Sequence, residues 1–310
     1  MSATVDHRPA AQPKVAAMAA LACPVCCSQA LTPAWTLGGY GLSRCDRCTH
    51  LFVSSGLLPG TLDQAYERDY YAAGGSAARS GYEDYLAKAP QRLHGFAQRL
   101  RELERYAVGR GRVLDFGCAV GLFVKVAADA GWDAIGLERS AWAADYGRRQ
   151  YGLSIVDGND ADCAGFAQSF DMVTMWDVLE HLEDPRAVLK QVARWLKPGG
   201  VLALNTVDSA SRGARMAGEH WRHLAPPHHL QYFTRDSLLH LLRDCGLRLL
   251  AVHGQGVMWG ADRRRDQLDG LRAVSEEVVT HWRARPLANA LHLLDEIEIV
   301  AVRDGAVAGA

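Results

Sequence analysis

The sequence predicts an α/β protein: a mostly parallel sheet with helices on both faces, preceded by a small metal-stapled module. Three observations carry this. From Gly111 onward, short apolar runs alternate with amphipathic stretches of helical period. Two CxxC pairs, Cys23/Cys26 and Cys45/Cys48, stand 18 residues apart near the start. Between them and the alternating region lies a polar, tyrosine-dense stretch. Buried parallel strands read as continuous apolar runs because helices cover both faces, and that is the pattern seen here.

Composition is that of an ordinary folded chain. The 310 residues are 49% hydrophobic and 22% charged, with a formal net charge of −1. Near-neutrality counts against nucleic acid as the main partner, since gripping many phosphates needs a basic excess. No apolar run reaches the roughly 18–20 residues of a membrane helix. The Ala-rich start is broken by Pro13 and Lys14 and reads as a leader, not a signal peptide, so the expected location is cytoplasmic.

The elements follow in order. Residues 1–19 are the disordered leader, and 20–60 form a β module around the cysteine pairs. Two tight turns, each aiming two thiolates at one point, make the tetrahedral set of a structural zinc ion: Cys23, Cys26, Cys45 and Cys48. Cys27, Cys118, Cys163 and Cys245 lack such spacing and read as small apolar fillers. Residues 61–89 are a tyrosine-rich connector, and 90–310 the main domain.

A helix from about Pro90 to Tyr106 places Leu93, Phe96, Leu100 and Leu103 on one face. Strands are expected at "RVLDFG", "WDAIGLE", "LSIVDG", "DMVTMW" and, after the turn "KPGG", at "VLALNTV". Helices are expected at "GLFVKVAADAG", "SAWAADYGRRQYG" and "DPRAVLKQVARWL". Residues 208–234 show neither period and read as a His-rich substrate loop. The rhythm resumes with a helix at "RDSLLHLLRDCG", a strand at "LRLLAVHG", two helical stretches to about Leu294 and a last strand "EIEIVAVRD".

In "RVLDFGCAVGLF", Gly117, Ala119 and Gly121 stand at alternate positions. The dinucleotide fingerprint needs glycines at spacing two and then three, and a P-loop needs GK[ST]; neither is present. Asp115 ahead of the turn suits a cationic ligand better than a pyrophosphate.

These residues resemble the class I S-adenosylmethionine-dependent methyltransferase family. "DFGCAVG" is similar to its D-x-G-x-G-x-G loop, with Ala119 at the middle glycine; that change is mild unless φ there is positive. The resemblance implies a Rossmann-like seven-stranded sheet over about residues 90–303. It implies that Asp115, Gly117, Ala119 and Gly121 meet the methionine end and that Glu138 holds the ribose hydroxyls. Asp160, in "DGNDAD", would lie against the adenine, and Asp177, after the fourth strand, would complete the site. Tyr71, with Tyr70, would lie over the cofactor.

The run "PPHHLQYFTRDSL" resembles a subgroup that also carries an N-terminal zinc module and includes sugar C-methyltransferases. There the His at the position of His229 acts as base, preceded by an acid where this chain has His228. His228 and His229 are therefore the expected catalytic pair, with His220 and His223 nearby, while His181 reads as structural or cofactor-proximal.

The expected reaction is methyl transfer to an oxygen or carbon of a small metabolite of sugar or natural-product type. Two alternatives stay open: methylation of an RNA base, against which the charge and the lack of an Asn-Pro-Pro-Tyr motif count, and a zinc-stapled binding subunit without turnover.

Overall fold

The computed structural model describes residues 21–57, 85–158, 164–255 and 295–304. The leader, most of the connector, Tyr70, Tyr71, Asp160, Cys163 and the two helical stretches ending near Leu294 lie outside the described residues.

The main sheet has seven strands: β4 (Arg112–Phe116), β5 (Asp133–Glu138), β6 (Ile155–Asp157), β7 (Phe170–Trp176), β8 (Leu196–Val207), β10 (Leu247–Gln255) and β11 (Glu296–Arg303). Their spatial order is β10-β11-β8-β7-β4-β5-β6. The run from β8 to β6 is parallel, and β11 is antiparallel to both its neighbours. The expected strands are all present. "KPGG" lies inside β8, not before it: pairing with β7 jumps from Phe170↔Leu196 to Met172↔Val201, so the turn is absorbed as an irregularity.

Alternate side chains of one strand leave the sheet on opposite faces, and each face has its own core. Leu114, Val173, Leu202 and Ile299 pack with α4 (Pro185–Trp195) and α6 (Arg235–Asp244) through Leu189, Val192, Leu238 and Leu241. Their neighbours Val113, Met172, Val201 and Val300 pack on the other side with α1 (Ala89–Leu103) and α2 (Leu122–Asp129) through Phe96, Leu100 and Phe123. Helix α3 (Ala141–Tyr151) adds Ala143 to this second face.

Helix starts follow side-chain chemistry. Ser140 caps α3 by accepting from the Ala143 amide, and Asp184 caps α4 with Pro185 in its first turn. Thr234 and Ser237 form a capping box on α6.

The N-terminal module is a second sheet: β1 (Leu31–Leu37), β2 (Tyr40–Cys45) and β3 (Leu51–Ser55). Gly38 and Gly39, both at positive φ, supply the two-residue turn between β1 and β2. The fourth strand comes from the far side of the sequence: β9 (Gln231–Tyr232) pairs antiparallel with β3. The segment 208–234, which shows no period, thus contains that strand and a short helix, α5 (Arg212–Ala217), capped by Ser211. The strand leaves no sequence signal because two residues carry no period and the partner edge is about 180 residues away. No helix among the described residues is long and apolar enough to cross a membrane.

Candidate cofactor cavity and cysteine cluster

One cavity of about 550 Å³ opens at the carboxyl ends of β4, β5 and β7. The topology reverses direction here, since β4 has its successor β5 on one side and β7 on the other. Strand ends at such a reversal leave a crevice that open α/β sheets use for ligands.

Asp115 and Glu138 project into it from adjacent strands, and both are buried. Thr174 donates its hydroxyl to Asp115 Oδ1 at 2.7 Å. Burial, reinforced by the Glu138 charge, raises the Asp115 carboxyl to about 8. Glu138 accepts the Ala119 amide on Oε2 and the Ser140 amide on Oε1, both at 2.8 Å. Burial pushes its pKa up, against these two amides. Each carboxylate oxygen keeps a further lone pair for a hydroxyl ligand.

The small-residue loop is bent as the sequence requires. Gly117 has φ +72°, and a Cβ there would meet Val178 Cγ2 at 2.6 Å. Gly121, φ +81°, starts α2; a Cβ there would meet Leu153 Cδ1 at 2.6 Å, so its role is packing, and it is not part of the cavity lining. Ala119 corrects the expectation of a mild change, because its φ is +50°. A left-handed alanine costs roughly 1–2 kcal/mol, partly offset by the lower freedom of Ala in the unfolded chain. Ala119→Gly is therefore expected to stabilise the protein by roughly 0.5–1 kcal/mol in urea unfolding. A destabilised variant would show that the alanine methyl contributes more by contact than the conformation costs.

Asp177, also at positive φ (+54°), lines the cavity with its amide donating to Asn205 Oδ1 at 2.9 Å. Among the lining residues that carry no binding signal in the sequence are Tyr85, Arg92, Phe96 and Arg139. The Arg92 guanidinium lies over the Tyr85 ring, 4.2 Å from its centroid. Arg92 reads locally as the polar face of α1, and only docking of that helix brings it to the cavity. Trp176, at the end of β7, also forms part of the wall.

The histidines separate. His181 lines the cavity; His228 and His229 do not. His229 is buried behind His181, the rings meeting edge-on with centroids 4.8 Å apart. The expectation that the 228/229 pair faces the ligand is corrected to this extent: the turn after β7 fills the intervening space. His181 Nδ1 donates to the His228 carbonyl at 2.7 Å, leaving the lone pair of the neutral ring on Nε2. Burial lowers its pKa to about 4, and holds His229 well below the ordinary histidine value. His229 Nδ1 donates to the His223 carbonyl at 2.9 Å, and His223 meets Asp295 at 3.3 Å.

Ligand atoms of Glu180, His181 and His229 lie within 4.8 Å of one another, as do those of His223, Asp295 and Glu296. Burial raises Glu180 to about 8, and Thr206 donates to it at 2.9 Å.

The four predicted cysteines form a single cluster, with all sulfur atoms within 4.8 Å of one another. Sγ–Sγ separations are 3.6 Å for Cys23/Cys48 and 3.4 Å for Cys26/Cys45. Zinc bonds of about 2.3 Å in a tetrahedron put the sulfurs about 3.8 Å apart, so the set fits that ion. Both pairs use one turn: Cys27 N–H donates to Cys23 C=O and Thr49 N–H to Cys45 C=O, each at 2.9 Å, and Cys27 and Thr49 are both at positive φ. This places the exposed Cys27 outside the cluster. Cys118 and Cys245 are buried, as expected of fillers.

Comparison with known proteins decides the family. A methyltransferase domain model matches residues 85–252, more than half of the chain. The chain belongs to the class I S-adenosylmethionine-dependent methyltransferase family. This methyltransferase is 34% identical over 147 residues to a ubiquinone biosynthesis O-methyltransferase of Cereibacter sphaeroides, covering 44% of this chain and 60% of that relative. It is 31% identical over 157 residues to the protein of that name from Methylococcus capsulatus, covering 47% and 66%. The chain thus matches less than two thirds of the length of these relatives. A SAM-dependent methyltransferase from Archaeoglobus fulgidus superposes with a TM-score of 0.51 at 18% identity, over 70% of this chain and 98% of that one, and shares the fold.

Proposed function

We propose that this methyltransferase transfers a methyl group to a hydroxyl oxygen of a small metabolite, with a structural zinc ion in its N-terminal module. The observation that carries the reading is the pair of buried carboxylates, Asp115 and Glu138, at the ends of adjacent strands in one cavity. The donor set fits S-adenosylmethionine. Asp115 is an anionic partner for an ammonium, Glu138 accepts ribose hydroxyls, and Arg92 suits the amino-acid carboxylate. When bound, the cofactor supplies an electrophilic methyl on a sulfonium. The protein's part is alignment and proton removal. The wall formed by Trp176 and His181 sets the acceptor's approach, and the base assigned to the hydroxyl proton is His181 Nε2, an atom buried within that wall. His229, which the resemblance makes the base, supports His181 from behind. Relatives named for O-methylation favour oxygen over carbon as the acceptor atom; the zinc module and the HHLQYF run are the support for a sugar or natural-product acceptor. Cys23, Cys26, Cys45 and Cys48 hold the zinc, with no position left for water.

Calorimetry with S-adenosylhomocysteine tests the cofactor site. Glu138→Ala loses charge-assisted contacts worth about 1.5–3 kcal/mol, a weakening of roughly 10- to 150-fold. In the empty cavity Asp115 is protonated below about pH 8, and an ammonium favours its ionised form. Binding therefore releases a proton, and affinity rises from pH 6 to 8, then levels off. Wild-type affinity in Glu138→Ala, or affinity falling over that range, would overturn the assignment.

A further inference from the structure

We propose that Gln231 is a positioning residue that ties the four-cysteine module to the wall of the methyl-transfer cavity, so that closing the cysteine cluster sets the place of His181. This rests on the cavity and zinc readings above.

The connection is a chain of hydrogen bonds through buried side chains. The Cys45 amide, at the second cysteine turn, donates to the His50 carbonyl at 2.8 Å. The His50 side chain is fully buried between the Phe52 and Phe233 rings. Its Nε2 lies 2.9 Å from Gln231 Oε1, an atom that only accepts, so the imidazole donates. The other end of the same amide, Nε2, donates to the carbonyls of Leu182 at 2.9 Å and Glu183 at 3.4 Å. His181, Leu182 and Glu183 are consecutive residues of the cavity wall. Gln231 is only 3% exposed, and both its polar ends are used.

Backbone bonds run beside this bridge. The Val53 amide of β3 donates to the Leu230 carbonyl at 2.9 Å, and the Leu230 amide donates to the Glu180 carbonyl at 2.8 Å. Just upstream of Leu230, the His228 carbonyl receives the Nδ1–H of His181. The turn 179–183 is thus held from both sides by the segment that the module pairs with. A buried glutamine needs partners for its own sake, but here they lie on two segments distant in sequence from β9 and from each other: the stretch after the second cysteine turn and the turn after β7. A group bridging such segments transmits the order of one to another, and the coupling is reciprocal.

The test uses the full chain in two arms. In Gln231→Leu, which keeps the packing volume but makes no bridge, backbone amides in 179–184 are expected to exchange hydrogen at least tenfold faster. Those of 112–116 and the affinity for S-adenosylhomocysteine should stay within threefold. Gln231→Glu keeps the acceptor for His50 and removes the donor to the wall, so it should loosen 179–184 as well, and it serves if the leucine variant fails to fold. In the second arm, saturating S-adenosylhomocysteine should slow extraction of zinc by the chelator 4-(2-pyridylazo)resorcinol at least threefold in wild type and not in either variant. A purely structural glutamine would leave that ligand effect intact. Unchanged exchange at 179–184 in both variants, or a ligand effect that survives them, would overturn the tether. If the purified protein carries no zinc, the four-thiolate reading fails by itself and the exchange arm alone decides the tether.

Discussion

His181→Ala is expected to slow methyl transfer by about 100- to 10,000-fold, the usual loss when a general base is removed, with S-adenosylhomocysteine affinity within a few fold of wild type. This follows from the base role proposed for His181. His181 is the described histidine in the cavity wall, and its Nδ1–H is fixed on the His228 carbonyl, which places the lone pair on Nε2. A ring whose pKa is lowered to about 4 is neutral at every ordinary assay pH. Sign follows directly: the base is lost only as pH falls through about 4, so this residue contributes no acid limb between pH 5 and 8. His229→Ala should cost less, because His229 touches the edge of His181 and not the cavity. The decisive measurement is kcat for both variants on any acceptor the wild type methylates. A larger loss in His229→Ala would move the proton to His229 and return the reading to the one that the HHLQYF run suggested.

Cys45→Ser/Cys48→Ser is expected to lose the zinc, from one equivalent to near none, and to unfold the module while the main domain stays folded. Structural zinc sites of this type contribute about 10–16 kcal/mol of apparent binding free energy, far more than a module of this size gains from its core. That core is thin: Leu42, Leu51 and Val53, completed by Trp221, Leu230 and Tyr232 from beyond β8. The two cores of the main sheet have their own helices, but Val25 and Phe52 of the module pack into one of them, so thermal melting should show a new early transition ahead of a lowered main one. Metal analysis and melting check both parts. Zinc retained in full by the double variant would exclude these thiolates as the ligands.

The alternation of apolar strands with amphipathic helices is a local property, and so the parallel sheet is legible in the amino-acid order alone. The cysteine pairs are legible for a similar reason: two residues between thiols fix a turn whatever surrounds it, and both turns fold alike. Asp115 and Glu138 stand out because each lies where a recognisable strand ends.

What the sequence by itself determined, then, is what short-range periodicity and fixed spacing encode: the succession of strands and helices in the α/β core, the acidic strand ends and the cysteine tetrad. What only the tertiary structure decided is what depends on contacts between distant segments. The left-handed φ of Ala119 follows from the way the loop reaches Glu138, and alanine composition does not reveal it. Arg92 enters the cavity because α1 docks against α2, whereas within its own helix it reads only as a residue of the polar face. His181 stands ahead of His229 because β9, two residues long, is captured by the free edge of β3 and pulls its loop onto the turn after β7. A backbone edge recruits a strand through hydrogen bonds that any residue except proline can make, so such pairing leaves almost no mark in the side chains that a sequence records.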